Sequence, residues 1–358
     1  MKEKPNSLYG LSLDEIGQTL GLSRRYQAKQ IHQWLIKGVT SFDEMTNLSK
    51  AERQRLTELM GSAVSSKVVD KQLDRDSGAA KLGIATFDGS VIEAVLLTDN
   101  KGRATACLSS QVGCAQGCTF CKTATMGFIR NLSAGEIIEQ YVHLQEISAV
   151  PITHIVYMGM GEPLANTTEV INSIEYLHDP EGFNIGLRRI TLSTCGLVNG
   201  IKRLTEQQLG VKLAVSLVTA DNRLRSTIMP VNKRYNIHEL KDALLDYQRT
   251  TGKRVTIEYC LLGGVNTDEV NAYKLAHWID GLDALVNLIP WNPAEGLPYI
   301  PPTESEISRF TGLLDRLGIN HTRRISRGQA IDGACGQLAV PLNKGLEWHL
   351  LADDEDDA

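Results

Sequence analysis

The stretch Cys114-Ala-Gln-Gly-Cys118-Thr-Phe-Cys121 carries three cysteines at spacing C-x3-C-x2-C, directly after the run Ala104-Thr-Ala-Cys107-Leu-Ser-Ser110. Thiolates this close can converge on one metal centre from a single loop, and three of them on a 4Fe-4S cluster leave one iron without a protein ligand. That open iron is a place for chemistry. The alternatives are a zinc site or cysteines buried as small hydrophobes. Zinc motifs usually pair two C-x2-C units or add a C/H pair downstream, and His143 and His154 stand too isolated to complete one.

Outward from this loop the chain alternates. Apolar runs at 152–158, 189–193, 211–217, 254–262, 285–289 and 321–325 read as strands, and helical periodicity fills 133–147, 168–177, 200–207, 236–249, 268–279 and 303–317. A βα repeat of this length predicts an α/β fold with a parallel sheet, open or curled into a partial (β/α) barrel of the TIM type, with ligands at the carboxyl ends of the strands. Gly159-Met-Gly161-Glu162-Pro163 falls at such an end, where glycines let backbone approach a ligand and Glu162 can accept hydrogen bonds from an ammonium or hydroxyl. Ser193, Ser216 and Asn292 occupy equivalent positions, each also compatible with turn duty.

Upstream, Ser12-Leu-Asp-Glu15, Ser41-Phe-Asp-Glu44 and Ser49-Lys-Ala-Glu52 fit the capping-box pattern, and Ala28, Ile31 and Leu35 recur at helical spacing, so three short helices are expected between 12 and 60. Residues 82–97 read as a hairpin, with Asp88-Gly89 favouring a primed turn. Glu93 is an acid inside its apolar strand, either facing solvent or placed as a proton acceptor beside a buried site. The expected organisation is a helical module at 1–65, a β extension at 66–103, the core at 104–340 and an acidic tail at 341–358.

At 358 residues and 42% hydrophobic content the chain can fill a large core. Seven cysteines without a signal-like start point to a reducing cytoplasm, and no apolar run has the length of a membrane span. The acids at 353–357 account for the whole formal charge of −5, so the overall balance says little about nucleic acid. Local basic clusters say more: Arg24-Arg25 with Lys29, Arg188-Arg189, Arg223 with Arg225, Lys233-Arg234, and Arg323-Arg324 with Arg327. Each alone is ordinarily a solvated face.

The cysteine loop resembles the signature of the radical S-adenosylmethionine (SAM) superfamily, and Gly159-Met-Gly-Glu-Pro163 resembles its turn for the methionine ammonium. Leu108-Ser-Ser-Gln-Val-Gly-Cys114, Met126-Gly-Phe-Ile-Arg-Asn-Leu132, Met229-Pro-Val-Asn-Lys-Arg234, Leu288-Ile-Pro-Trp-Asn292 and Ala334-Cys335-Gly-Gln-Leu338 are together similar to the RlmN/Cfr family of RNA adenine methyltransferases. The resemblance spans about 12–338.

It implies a mechanism. Cys114, Cys118 and Cys121 would hold the cluster, and Gly161, Glu162, Ser193, Ser216 and Asn292 would line S-adenosylmethionine, two molecules of which serve each turnover. One methylates Cys335; the other yields a 5′-deoxyadenosyl radical that takes hydrogen from that methyl. The methylene radical then adds to adenine, and Cys107 releases the adduct as a transient disulfide with Cys335 while Glu93 removes the ring proton. The detour has a physical reason: the amidine carbons of adenine are electron-poor and cannot attack a sulfonium methyl. The resemblance further implies 2-methyladenosine in 23S rRNA, with a tRNA as a second substrate, an electron donor such as flavodoxin or ferredoxin, and a monomer. Carbon 8 of the same base, a different RNA, or an iron-sulfur RNA-binding protein without methyl transfer are the competing readings.

The chain also departs from the pattern. Val218 stands where the family commonly has histidine after Ser216-Leu217, and Cys195 where serine is more frequent. Cys195 and Cys260 read as structural.

Overall fold

The structure, a computed structural model, describes residues 7–340; residues 1–6 and the acidic tail expected from 341 onward lie outside it. The amino-terminal helices are α1 (Leu13–Thr19), α2 (Arg25–Leu35) and α3 (Lys50–Met60). Their apolar stripe, including Ile16, Leu20, Ala28, Ile31, Leu35 and Leu56, is buried, at about 1.5–3 kcal/mol for a fully buried large aliphatic side chain. Of the three capping patterns, Ser12 and Glu15 exchange both bonds at the start of α1. Ser41 and Glu44 open only a 3-10 turn, and Ser49 caps α3 without reciprocation because Glu52 turns to Arg55 instead. A charged partner three residues on competes successfully for that carboxylate.

Next come β1 (Lys67–Asp74), β2 (Ala79–Ala85), β3 (Val91–Thr98) and β4 (Ala104–Cys107), each antiparallel to the one before. The β2–β3 connection is not a two-residue primed turn. Thr86 and Ser90 still pair, the Gly89 amide donates back to the Thr86 carbonyl, and Gly89 takes φ +80°, a three-residue loop with its left-handed residue last. The hairpin of β5 (Gln111–Gly113) and β6 (Phe128–Asn131), absent from the sequence reading because each strand is so short, brackets the cysteine loop.

From there the alternation runs as expected. It comprises α4 (Ala134–Ile147), β7 (Ile152–Tyr157), α5 (Thr167–His178), β8 (Ile190–Thr194), α6 (Val198–Glu206) and β9 (Lys212–Ser216). A short α7 (Asn222–Ile228) follows, then α8 (Ile237–Thr251), β10 (Val255–Leu261), α9 (Glu269–Ile279), β11 (Ala284–Pro290), α10 (Glu304–Arg316) and β12 (His321–Arg323). One sheet runs β1-β2-β3-β4-β7-β8-β9-β10-β11-β12, parallel from β4 onward. It is α/β and it curls. After β12 the chain returns to the opposite edge, where Arg327 donates to the Thr98 carbonyl at 2.9 Å and Gly328 N to Ser77 Oγ at 3.0 Å. The tips of β7 to β11 and the segment after β12 therefore face one interior, which makes a partial barrel. Among the described residues no helix is long and apolar enough to cross a membrane.

Candidate active site

The cysteine loop is fixed at both ends by backbone. Cys114 N donates to the Gly127 carbonyl at 2.8 Å where β5 meets β6, and Gly113 (φ +72°) is obligatory because a Cβ there would stand 1.9 Å from that same oxygen. Further along, Thr119 N donates to Ile228 O at 2.9 Å and Trp291 Nε1 to Phe120 O at 2.9 Å. Cys114, Cys118 and Cys121 all reach the wall of one cavity. Burial pushes the Cys114 thiol up to about 12, and the thiols of Cys118 and Cys121 also rise, with no cation beside them large enough to offset the loss of solvation. Thiols so placed ionise readily only against a positive centre. Among the described residues no three His, Cys, Asp or Glu side chains are close enough to hold a single ion. A four-iron cluster takes each thiolate on a different iron and needs no such convergence, so three soft donors around one cavity fit it.

The Gly159-Met-Gly161-Glu162 turn lines the same cavity, but its glycines answer first to the protein. A Cβ on Gly159 would stand 2.6 Å from Ser109 Oγ, and one on Gly161 (φ +97°) 2.5 Å from Gln111 Cβ. The residues just before the cysteine loop thus lock the turn in place: Ser109 Oγ accepts from Met160 N at 2.8 Å, and Gln111 Oε1 accepts from Glu162 N at 2.8 Å. Glu162, buried, accepts from Leu164 N at 3.0 Å and Cys195 N at 2.7 Å, which leaves further lone pairs for a bound ammonium. Ser193 and Ser216 line the cavity as expected. Asn292 does so too, yet both ends of its amide are occupied, by the Cys335 carbonyl at 3.0 Å and Gln329 Nε2 at 2.6 Å.

Cys335 comes to the loop from the far end of the chain. Lys122 N donates to the Gly336 carbonyl at 2.7 Å and Thr123 Oγ1 to the Leu338 carbonyl at 2.6 Å, so the cysteine loop and the Cys335 turn are one hydrogen-bonded unit. Cys335 faces two chambers: the one just described, and a second that also contains Cys107. Burial beside Cys335 pushes the Cys107 thiol up to about 12. Arg103, Arg189 and Lys212, at the amino ends of β4, β8 and β9, line this second chamber along with Arg324 and Arg327. Burial first, and then Arg103, Arg189 and Lys212, lower the pKa of His154 beneath them.

Glu93 lines neither chamber. It sits two residues from Val95, which pairs with Cys107, so Glu93 and Cys107 share a sheet face diagonally, a separation of about 7–8 Å. Its carboxylate pairs with Lys81 at 2.9 Å. Cys195 and Cys260, expected to be structural, both reach the cavity lined by the three thiols.

The basic clusters divide in space. Arg323 pairs with Glu304 on the surface, Arg327 ties down the β1–β2 turn, and Arg324 points inward beside Cys107, Cys335 and Glu258. Arg225 is fully buried, donating to the Leu217, Ser216 and Cys195 carbonyls and to Asn232. Glu258 and Lys81 are inner charges with no signal in the sequence, and Arg225 and Arg324, which the sequence shows only as members of basic clusters, turn inward beside them. Adjacent arginines look alike until strand pairing decides which face each takes.

Residues 108–276 match the Radical SAM superfamily, and residues 12–61 match the ribosomal RNA large subunit methyltransferase N-terminal domain. A probable dual-specificity RNA methyltransferase RlmN from Treponema denticola is 46% identical over 338 residues, 94% of this chain and 96% of that protein. The chain belongs to the RlmN family of radical SAM RNA methyltransferases. A dual-specificity RNA methyltransferase RlmN from Lawsonia intracellularis is 45% identical over 88% of this chain and 90% of its own length. The crystal structure of a radical SAM methyltransferase from Sphaerobacter thermophilus superposes with a TM-score of 0.88 at 42% identity, covering 93% of this chain and 98% of that one. Superfamily membership implies the 4Fe-4S cluster and S-adenosylmethionine, which the three-thiol wall and the Glu162 turn fit.

Proposed function

We propose that this chain methylates carbon 2 of an adenosine in 23S rRNA, and of one in tRNA, through a methylated Cys335 and a transient Cys107–Cys335 disulfide. The observation that carries the reading is that Cys335 faces both chambers, one with the three thiols and the other with Cys107. Cys114, Cys118 and Cys121 hold the cluster, and Gly161, Glu162, Ser193, Ser216 and Asn292 line the cosubstrate. Together these cofactors supply, when bound, a methyl group and a carbon-centred radical, at two cosubstrate molecules per turnover.

The protein does the rest. Cys335 accepts the methyl group on the cofactor side and offers it to a base in the second chamber. Arg189 and Lys212 along that chamber, beside an Arg103 already paired with Asp99 and an Arg324 beside Glu258, suit a polyanion whose target base is splayed out of its stack. Glu93, on the same sheet face as Cys107, accepts the ring proton; the Cys107 thiolate then attacks the Cys335 sulfur, and the bond from that sulfur to the methylene carbon breaks with its electron pair on carbon, which takes a proton to become the methyl group. In this reading residues 1–65 form an RNA-docking module, 66–103 carry Glu93 and 104–340 do the chemistry. The protein works as a cytoplasmic monomer reduced by a flavodoxin or ferredoxin.

The test is anaerobically reconstituted enzyme with methyl-labelled S-adenosylmethionine and total RNA, digested to nucleosides and read by mass spectrometry. Labelled 2-methyladenosine in both rRNA and tRNA is expected. Label on carbon 8 would move the site of attack, and none in either RNA would remove RNA as substrate.

A further inference from the structure

The Lys81–Glu93 pair needs a reason to exist. Both side chains are almost fully buried, at 5% and 7% exposure, and lysine is rarely buried without a partner. Taking both charges from water costs as much as their attraction returns, so such a pair is weak support for stability. The sheet is built around it. Glu93 lies opposite Gly83 in the β2–β3 register, and Lys81 opposite Val95, so Lys81, Glu93 and Cys107 share one face of three neighbouring strands. The Lys81 ammonium reaches Glu93 Oε1 at 2.9 Å across the Gly83 position, where a Cβ would instead meet Asp70 Cβ on β1 at 3.1 Å. Among the described residues the other oxygen, Oε2, is buried with no hydrogen bond of ordinary length and angle, although the Ala339 amide faces the carboxylate. A buried carboxylate oxygen left open is costly unless something arrives to use it.

We propose that Lys81 is a positioning residue for the methyl transfer: by holding Oε1 it keeps Glu93 ionised and leaves Oε2 free to take the ring proton. This rests on the reading of Glu93 as proton acceptor. The step moves one proton and no net electrons: the C–H bond breaks, its electron pair stays with the ring system, and the proton bonds to Oε2. Lys81 keeps its own proton throughout. The groups facing the Glu93 carboxylate are Lys81 from β2, and Asp332 and the Ala339 amide from the segment after β12; its backbone amide faces Met160 Sδ. Burial raises the Glu93 pKa, and Lys81 is the largest opposing influence. Without that cation only the Ala339 amide opposes burial and Asp332, both of which favour the neutral form.

The experiment compares Lys81→Met, Lys81→Arg and Glu93→Gln with the parent. Lys81→Met should move the acidic limb of the pH–rate profile upward by about 1–3 units and accumulate covalent enzyme–RNA adduct at neutral pH, with turnover recovering as pH rises. Lys81→Arg should restore both. Infrared spectra of the protein without RNA should show a neutral-carboxyl band in Lys81→Met that vanishes when Glu93→Gln is added. If Lys81→Met loses rate with its acidic limb unmoved and no new carboxyl band, Lys81 is structural and the inference is overturned. If Glu93→Gln turns over without trapping adduct, the proton-acceptor reading itself fails. Trapping by Glu93→Gln alongside an unaltered Lys81→Met overturns only the role of Lys81.

Discussion

The side-chain amide of Asn292 donates to the Cys335 carbonyl at 3.0 Å, while its oxygen accepts from Gln329 at 2.6 Å. A residue expected to line the cosubstrate thus also holds the turn that carries Cys335, the proposed methyl acceptor. Asn292→Ala leaves a part-buried carbonyl without its donor, which costs about 1 kcal/mol, and should slow methylation of Cys335 at least as much as it slows cosubstrate cleavage. Peptide mass spectrometry of Cys335 after a single turnover reads the first, and deoxyadenosine release reads the second. Normal methylation with lost stability would make the bond structural only.

The two outlying cysteines should separate cleanly by what accumulates. Cys335→Ala is expected to bind its cluster and cleave cosubstrate but transfer no methyl to RNA. Cys107→Ala should begin the reaction and stop at a covalent enzyme–RNA species, visible as a slow band on a denaturing gel and removed by nuclease. Release of product by Cys107→Ala at the parent rate would refute the resolving role.

A pH effect on stability is expected at the junction of the helical module and the core. Ser65 N, Ser65 Oγ and Ser66 Oγ all donate to Glu139 on α4, and Ser66 Oγ meets His143 Nε2 at 3.0 Å. Burial lowers the His143 pKa to about 4. The unfolded chain binds this proton near 6.5, so stability falls as pH drops from about 6.5 to about 4, by up to roughly 3 kcal/mol, and is unaffected above that window. Burial raises Glu139 and acts in the opposite sense, since a neutral acid relieves strain as pH falls. Urea melts of His143→Gln against the parent isolate the histidine: the difference in stability between them should shrink or reverse as pH falls, and a pH-independent difference would contradict the assignment.

Val218 adopts φ +63° at the cavity wall. A β-branched residue there is a genuine outlier, and such strain costs about 1–3 kcal/mol, whereas asparagine and histidine tolerate it. Val218→Asn and Val218→His should each raise the melting temperature by a few degrees. If His alone also tightens S-adenosylmethionine binding by calorimetry, the ring contributes a contact that Val218 lacks; a melting temperature that drops in both would show that burying a polar side chain at this site costs more than the strain it relieves.

Much of this was readable in the residues. The period-2 and period-3.6 runs report on neighbours within a turn or along a strand, and these gave every core strand from β7 onward to within a few residues. The C-x3-C-x2-C spacing is equally local, and so was legible. The short strands β5 and β6 and the edge strand β1 were not, because three or four residues carry no period and an edge strand need not alternate. The glycines of the Gly159–Glu162 turn suggest a ligand in the sequence, but a Cβ there would strike Ser109 and Gln111 first.

The sequence by itself determined that three thiols share a loop, that the core alternates strand and helix, and that cysteines lie before and far after that loop. Only the tertiary structure decided that Cys335 faces two chambers, that Arg324 turns inward while Arg323 turns out, and that Lys81 meets Glu93. Those relations depend on which strands pair and in what register, and a slip of one residue moves every side chain of a strand to the other face.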